Sequence, residues 1–294
     1  TGHEQVWIPL TWLSLQLDAS LWGAEPAGFH LANLALHLVA TALAWFLARR
    51  LCGSVAVATG AALLMAVHPL NVEAVAWVTA RKDVLMATLL LGAALAWLQA
   101  KGVRGLLLSC ALAALAMLAK PAAVVAPLLL LLLTLASGWS GTDPARPRRG
   151  QWVALAGLAL VAVAVGVVTT RLAQHGRMGA VEAVPLLQRV LEAGGAIVRY
   201  LARSAWPAGL AVRYPESGLH LSGALAAAAD FAVVSLTVLL WRQRRRLPLA
   251  SFGWLWFLVC LLPSVGLVQG GHLPQGDRYA YVAALGLWLP LASA

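Results

Sequence analysis

One stretch of the sequence joins carboxylates and cations in the way that proton transfer and phosphate binding require. HPLNVEAVAWVTARKDVL, residues 68–85, lies between two apolar blocks and carries Glu73, Arg81 and Asp83. Ionisable groups in apolar surroundings commonly mark a functional site, and this mixture suits acid–base chemistry and charge-assisted hydrogen bonds to phosphate. A plainer interpretation stays open, in which Arg81 reaches lipid head groups and Asp83 caps the following helix.

Two further places carry cations. Lys120 precedes a proline between apolar blocks, and QGDRYAYV, residues 275–282, holds Asp277, Arg278 and Tyr279. A guanidinium can bind phosphate through two parallel hydrogen bonds, and an acid suits the N-terminus of a helix. These side chains are candidates for a phosphate site. Alternatively, the lysine extends to the lipid surface and the turn is a capped helix start.

Several histidines are candidates for lining a substrate path. His30, Asn33 and His37 follow the i, i+3, i+7 spacing that places side chains on one face of a helix. They either line such a path, together with His68, or make hydrogen bonds between helices. Zinc requires more ligands than this group offers, so no metal site is predicted. Asp230, inside an apolar block, either pairs with another helix or faces the path.

The composition indicates which elements must position these side chains. Hydrophobic residues make up 61% of the 294 residues, charged residues 11%, and the mean hydropathy is +0.82. An ordinary soluble domain carries roughly twice that charged fraction. In lipid a lone strand cannot satisfy its backbone, and a spanning helix needs about 20 apolar residues. The sequence therefore predicts an all-α bundle of about eight to ten transmembrane helices, at 29–48, 54–68, 84–100, 105–119, 122–138, 152–170, 222–241, 248–268 and from 280.

The charged side chains divide between the two ends of these helices. Nine of the eleven acids fall on the side opposite to four short basic loops. The positive-inside rule assigns the basic loops to the cytoplasm and the acids to the extracytoplasmic face. The basic loops contain Arg49/Arg50, Lys101/Arg104, Arg146/Arg148/Arg149 and Arg242/Arg244/Arg245/Arg246.

The same distribution argues against nucleic acid as a partner. The net charge of +10 comes from loops between apolar blocks, whereas nucleic-acid binding needs basic residues on a water-exposed face. Cys52, Cys110 and Cys260 lack metal-like spacing and are interpreted as small packing residues.

Residues 171–221 form the longest polar stretch and are too charged to cross lipid. We expect an amphipathic helix on the outer membrane surface, followed by a proline-broken loop. The chain, 1–294, is predicted to be one transmembrane domain. Because it starts at Thr1 without methionine and ends at Ala294 within an apolar run, we expect that both ends are cut.

Five blocks occur in the order expected of one family: GFHLANLALHLVATALAWFL, HPLNVEAVAWVTARKDVL, LAKPAAVVAPLLLLLL, YLARSAWPAGLAVRYP and GWLWFLVCLLPSVGLVQGG…GDRYAYVAALGL. Together they resemble the membrane domain of bacterial proteins related to the transmembrane and tetratricopeptide-repeat-containing O-mannosyltransferases. The resemblance implies a GT-C glycosyltransferase fold in a bacterial inner membrane, active at its extracytoplasmic face. It also implies transfer of a sugar, of mannose type, from a polyprenyl-phosphate carrier to a protein hydroxyl or other acceptor. Tetratricopeptide repeats would follow the membrane domain.

The resemblance also implies roles for single residues. Arg81, Lys120 and Arg278 would hold the lipid phosphate, with Tyr279 as a supporting donor. The family's GRADLL-type segment reads ARKDVL here, so the roles of Arg81 and Asp83 carry over loosely. A divalent metal stays an open alternative without support from the residues.

Inverting transfer needs a carboxylate base that deprotonates the acceptor hydroxyl. GT-C enzymes usually place this acid in the loop after the first span, which would lie upstream of Thr1. The fragment alone is therefore expected to be inactive, and Glu73, Asp83 and Asp277 are weaker candidates for the base.

Two alternatives stay open. A ligase that joins polyprenyl-linked glycans would share the outward charged face and use a diphosphate-linked donor. A non-enzymatic membrane anchor or transporter would need no such site, although transport predicts duplicated halves and ionisable groups near the bilayer midplane. Only Asp230 lies that deep in a predicted helix.

Overall fold

The described part of the chain is entirely helical. The computed structural model describes residues 7–139, 148–176, 185–212, 214, 223–266 and 276–293, and none of these forms a β-strand. This confirms the predicted all-α class. The α-helices are α1 (Pro9–Trp22), α2 (Pro26–Cys52), α3 (Val55–Val67), α4 (Val72–Ala76), α5 (Arg81–Gln99), α6 (Val103–Ala119), α7 (Ala126–Ala136), α8 (Arg149–Gly176), α9 (Leu186–Ala205), α10 (Gly223–Gln243), α11 (Pro248–Leu261) and α12 (Leu285–Leu291).

Four helices are long and apolar enough to cross a membrane, namely Pro26–Cys52, Val78–Gln99, Arg149–Leu172 and Gly223–Gln243. A fifth would be the pair α3 and Pro69–Ala76, which is bent by 52°. Three shorter apolar helices lie at Val103–Ala119, Pro121–Ala136 and Pro248–Ser264. The length and the apolar composition of these helices indicate an integral membrane protein. The predicted eight to ten spans require the shorter helices to cross as well, and that number stays a prediction.

Prolines interrupt the helices at the places where charged side chains collect. Pro69 follows the end of α3, and Pro121 follows the end of α6. Proline has no N–H to continue the backbone ladder of a preceding helix, so each α-helix ends and a short 3-10 turn follows. Lys120 therefore follows the last residue of α6 in an extended conformation, rather than lying inside a continuous helix.

Contacts between α2 and α5 show the relative direction of these two helices. Arg81, at the start of α5, donates to Asn33 near the start of α2, and Thr88 Oγ1 donates to the Leu36 carbonyl at 3.1 Å. Helices α2 and α5 therefore run in the same direction. Their basic C-terminal ends, near Arg49 and Lys101, lie opposite to the end that holds Arg81.

The later helices follow the same arrangement. Trp139, just after α7, packs edge-on against Trp241 of α10 with ring centroids 6.0 Å apart. The arginines after Trp241 thus lie at the far end of α7 from Lys120. The predicted grouping of basic loops opposite to the candidate site is consistent with these contacts. Glu4, Asp143, Arg146, Glu182 and Glu216 lie outside the described residues.

Two close helix crossings depend on glycine. Where α11 crosses α12, a Cβ on Gly253 would collide with the Gly286 carbonyl, so only glycine permits this approach. Where α9 meets α10, a Cβ on Gly194 would lie 2.8 Å from the Asp230 Cα. Asp230 therefore contacts the backbone of another helix, which is one of the two roles expected for it.

The predicted surface segment divides into several parts. Residues up to Gly176 continue α8 beyond the span expected at 152–170, because the helix extends past its apolar stretch. Helix α9 follows, with Ala193, Ala196 and Tyr200 buried while Leu187 is exposed. A proline-containing connection leads on to Tyr214, whereas 177–184, 213 and 215–222 lie outside the described residues.

Candidate functional site

Two groups of buried charges occupy the same end of the bundle. We call Asp18, Asn33 and Arg81 the Arg81 cluster. We call the space lined by Asp83, Lys120, Arg278 and Tyr279 the cleft. The enclosed part of the cleft is small, about 20 Å³, and it opens to the outside; its remaining walls include Met86, Leu90, Val125 and Val282.

In the Arg81 cluster the guanidinium donates to three acceptors through Nε and Nη2. The Arg81 side chain is 2% exposed and forms an ion pair with Asp18. Its Nε donates to Asn33 Oδ1, and Nη2 also donates to the Phe29 carbonyl at 3.1 Å. Buried charges are tolerated when they are paired and hydrogen-bonded in this way. The arrangement joins α1 and α2 to the start of α5.

Asn33 extends this network to the turn before α5. Its amide nitrogen donates to the carbonyls of Val75 and Trp77, each at 3.2 Å. Arg81 and Asn33 lie outside the lining of the cleft. Their predicted roles in phosphate binding and substrate lining stay untested, and their geometry favours holding the helices together.

The cleft contains an ion pair that leaves one atom without a partner. Lys120, from the break between α6 and α7, pairs with Asp83 Oδ1 on α5. The Asp83 side chain is buried, and its Oδ2 has no hydrogen-bond partner among the described residues. A buried carboxylate oxygen without a donor is uncommon, because desolvation leaves it costly.

Arg278 and Tyr279 form the opposite wall. Arg278 Nη1 pairs with Glu73 Oε1, and the Arg278 backbone N–H donates to Glu73 Oε2 at 2.9 Å. Arg278 Nη2 lies 3.2 Å from the Tyr279 hydroxyl. The Tyr279 ring contacts two cations, with Lys120 Nζ at 4.7 Å and Arg278 Cζ at 4.8 Å from its centroid. Cation–π contacts hold both charges beside the same space.

The three candidate carboxylates differ in what they can still accept. Glu73 uses both oxygens on Arg278. Asp277 receives the Tyr214 hydroxyl at 2.8 and 2.7 Å. Of the three, Asp83 is the one whose second oxygen has no described partner, and it alone lines the cleft.

A further cluster around Asp277 was not predicted as a site. Arg203 Nη1 lies 3.5 Å from Asp277 Oδ1, and the Arg203 guanidinium stacks over the Tyr214 ring at 3.6 Å. Tyr200 donates to the Gly276 carbonyl at 3.1 Å. These contacts fasten the connection after α9 to the 3-10 turn Asp277–Ala280, which carries Arg278 and Tyr279. The block YLARSAWPAGLAVRYP was a family-like signal for this cluster, but no sequence feature paired it with Asp277.

The surroundings of this cluster shift its acid–base equilibria. Burial raises the pKa of the Asp277 carboxyl, against the lowering effect of the Tyr214 hydrogen bond and of Arg203. Burial and the hydrogen bond to Asp277 raise the pKa of Tyr214 to about 12. Tyr214 is therefore a neutral hydrogen-bond donor near pH 7.

The predicted histidine group separates in space. His37 is buried, with Nδ1 2.6 Å from the Tyr281 hydroxyl and Nε2 3.2 Å from the Ala66 carbonyl. His30 is exposed, so Asn33 and His37 are the buried members of this helix face. His68 accepts from the Leu70 N–H at 3.2 Å and caps the turn after α3. Substrate lining by these residues stays a prediction.

Metal ligands do not gather in the described residues, where no three His, Cys, Asp or Glu side chains form a potential metal site. Cys52, Cys110 and Cys260 are free and half-buried.

Comparison with known proteins connects part of the chain to protein O-mannosyl-transferases. Tmtc2 of Drosophila melanogaster is 45% identical over 84 residues, which is 28% of this chain and 9% of that protein. Tmtc1 of Drosophila melanogaster is 42% identical over 83 residues, or 28% and 10%. Human TMTC2 is 31% identical over 105 residues, or 36% and 13%. The chain spans about a tenth of the length of these curated relatives.

These similarities show a relation to that family over about a third of the chain, as the resemblance in the sequence implied. No protein-family model matches the chain. No solved structure matches it either.

Proposed function

We propose that this chain is the membrane module of a glycosyltransferase that moves a mannose-type sugar from a polyprenyl-phosphate carrier to a protein hydroxyl or other acceptor. The supporting observation is the cleft, where Lys120 and Arg278 lie beside one tyrosine ring although they are far apart in sequence. The names of the similar proteins, protein O-mannosyl-transferases, support the same reaction class. The proposed site is the extracytoplasmic face of a bacterial inner membrane, because the cleft lies opposite to the basic loops.

The chemistry requires a base and a site for the leaving phosphate. A carboxylate takes the proton from the acceptor hydroxyl, whose oxygen attacks the anomeric carbon of the sugar. The bond from that carbon to the phosphate oxygen breaks, and polyprenyl phosphate leaves with the electron pair. Lys120 and Arg278 stabilise the negative charge that develops on this oxygen, and the Tyr279 hydroxyl adds a neutral donor. Asp83 pairs with Lys120, on the side of the leaving phosphate, so the catalytic base is expected elsewhere, in the loop after a first span.

A transfer assay on the protein as its gene encodes it tests the proposal. The protein is reconstituted in liposomes with radiolabelled polyprenyl-phosphate mannose or with a polyprenyl-diphosphate oligosaccharide. We expect transfer from the monosaccharide donor and a loss of at least about 100-fold in Lys120→Met/Arg278→Gln, since two charge-assisted contacts to phosphate disappear.

The matched control is Arg50→Met, which removes an exposed cation at the other end of the bundle. The control should retain transfer. Wild-type transfer rates in the double variant would overturn the proposed site, and transfer from the diphosphate donor would favour the glycan ligase. Absence of transfer from both donors would favour the anchor.

A further inference from the structure

We propose that Asp83 is a specificity-determining residue: its free Oδ2 accepts a hydrogen bond from a sugar hydroxyl, and its charge excludes a diphosphate head group. This inference rests on the proposed function and deepens it. It begins from a buried carboxylate oxygen that no described residue satisfies, on a residue that lines the cleft.

The chemistry of Asp83 defines what its partner must supply. In the ion pair with Lys120 the carboxylate can only accept hydrogen bonds. The unpartnered Oδ2 therefore requires a donor, such as a hydroxyl. A phosphate diester has none and carries a negative charge that the carboxylate repels. The ligand must then present its phosphate to Lys120 and Arg278 and a hydroxyl to Asp83, as a sugar on a phosphate does.

The charge balance limits the head group further. The two cations beside the Tyr279 ring are already paired with two carboxylates, Lys120 with Asp83 and Arg278 with Glu73. These four side chains sum to no net charge, so the cleft offers donors for a phosphate but no surplus positive charge. A diester with one negative charge is tolerated far better there than a diphosphate with two or more. The same carboxylate thus selects for hydroxyls and against additional phosphate.

Binding to the purified chain in nanodiscs tests this inference without requiring turnover. Three short-chain isoprenyl probes are compared: a phosphomannose, a methyl phosphate diester and a diphosphate. The first two carry the same charge and differ in the sugar hydroxyls. We expect the wild-type chain to bind the phosphomannose at least about tenfold more tightly than the methyl diester, and the diphosphate most weakly.

Two substitutions separate the hydrogen bond from the charge. Asp83→Leu removes the acceptor, so the ratio of the affinity for phosphomannose to the affinity for the methyl diester should fall by about tenfold. Asp83→Asn keeps an acceptor oxygen and should retain part of that preference. Loss of the negative charge in Asp83→Asn should tighten diphosphate binding by about tenfold. Asp230→Asn, the same change on a carboxylate outside the cleft, should leave all three affinities unchanged.

The outcomes distinguish this inference from the proposed function. If a folded Asp83→Leu keeps the wild-type ratio of phosphomannose to methyl diester, and Asp83→Asn keeps the wild-type affinity for diphosphate, Asp83 does not determine specificity. Equal wild-type binding of the two diesters overturns the hydroxyl contact and leaves the phosphate site intact. Failure of a folded wild-type chain to bind any of the probes overturns the phosphate site itself. Thermal unfolding of each variant shows whether it is folded, and Asp83→Asn, which conserves shape, provides the test should Asp83→Leu not fold.

Discussion

The Arg81 cluster and the cleft both contain a buried ion pair, but they differ in which hydrogen-bonding atoms lack a partner. Each contains a buried cation paired with a buried carboxylate, and both use residues from the first turn of α5. Arg81 donates to Asp18, Asn33 and a backbone carbonyl. In the cleft, one oxygen of Asp83 has no described partner. Breaking a buried, hydrogen-bonded pair is strongly destabilising, whereas a buried oxygen without a donor indicates where a ligand can bind.

Helix geometry explains how Arg81 and Asp83, two residues apart on α5, belong to two different clusters of side chains. Residues two apart on an α-helix point about 200° away from one another. Arg81 therefore faces α1 and α2, while Asp83 faces the break between α6 and α7, where Lys120 lies. The comparison predicts that substitutions in the Arg81 cluster affect stability most and that substitutions in the cleft affect binding most.

The largest loss of stability is expected from Arg81→Met. This change leaves Asp18 as a buried charge without its partner and should reduce the free energy of unfolding by about 3–5 kcal/mol. Thermal unfolding in detergent measures it, with Arg50→Met as the control. Should Arg81→Met unfold like the wild type but lose binding of the lipid phosphate, Arg81 would be a phosphate ligand and the comparison would be wrong.

A smaller loss of stability, with a larger loss of binding, is expected from Lys120→Met. It leaves Asp83 unpaired next to an open cleft and should cost about 2 kcal/mol. The double variant Lys120→Met/Asp83→Leu should recover most of this stability, because no charge remains unpaired. Both variants should lose binding of the methyl diester probe. Recovery of binding in the double variant would show that Lys120 does not contact phosphate.

The Tyr214–Asp277 contact should give a pH-dependent effect of about 1–2 kcal/mol. Because burial raises the pKa of Asp277, the folded protein binds more protons there than the unfolded chain. The contribution of Asp277 to the free energy of unfolding therefore falls as the pH rises from the ordinary aspartate pKa, about 3.9, through the raised pKa of the folded protein. Tyr214→Phe removes a donor to the carboxylate, so it should raise this pKa further.

The penalty of Tyr214→Phe should thus be largest near pH 7 and shrink as the pH falls and Asp277 becomes protonated. Thermal unfolding of the wild type, Tyr214→Phe and Asp277→Asn between pH 4 and pH 8 measures it. A penalty that is independent of pH would mean that Tyr214 acts by packing alone.

The smallest effect is expected from Tyr279→Phe. The ring that contacts Lys120 and Arg278 remains, and only the hydroxyl is lost. Stability should change by less than about 1 kcal/mol, and the affinity for the methyl diester probe should fall by about threefold to tenfold. Tyr279→Leu also removes the ring and should weaken binding further. Equal affinities for the two variants would exclude the cation–π contacts from the phosphate site.

Much of the fold could be predicted because the apolar blocks and basic loops are local features of the sequence. The all-helical class follows from the need to satisfy the backbone in lipid. The observed helix ends differ from the predicted ones where a proline interrupts the chain, as after Lys120, and where a helix continues into polar residues, as at the end of α8. The spacing of His30, Asn33 and His37 places three side chains on one helix face, yet His30 is exposed whereas Asn33 and His37 are buried.

The sequence by itself identified a membrane protein, its charged end and the residues from which a site could be built. Only the tertiary structure decided their partners: Lys120 pairs with Asp83 across 37 residues, and Arg278 pairs with Glu73 across 205. It also separated Arg81 from the cleft and joined Tyr214 to Asp277. Hydropathy and spacing act along one segment, whereas the partner of a buried charge depends on which helices pack together.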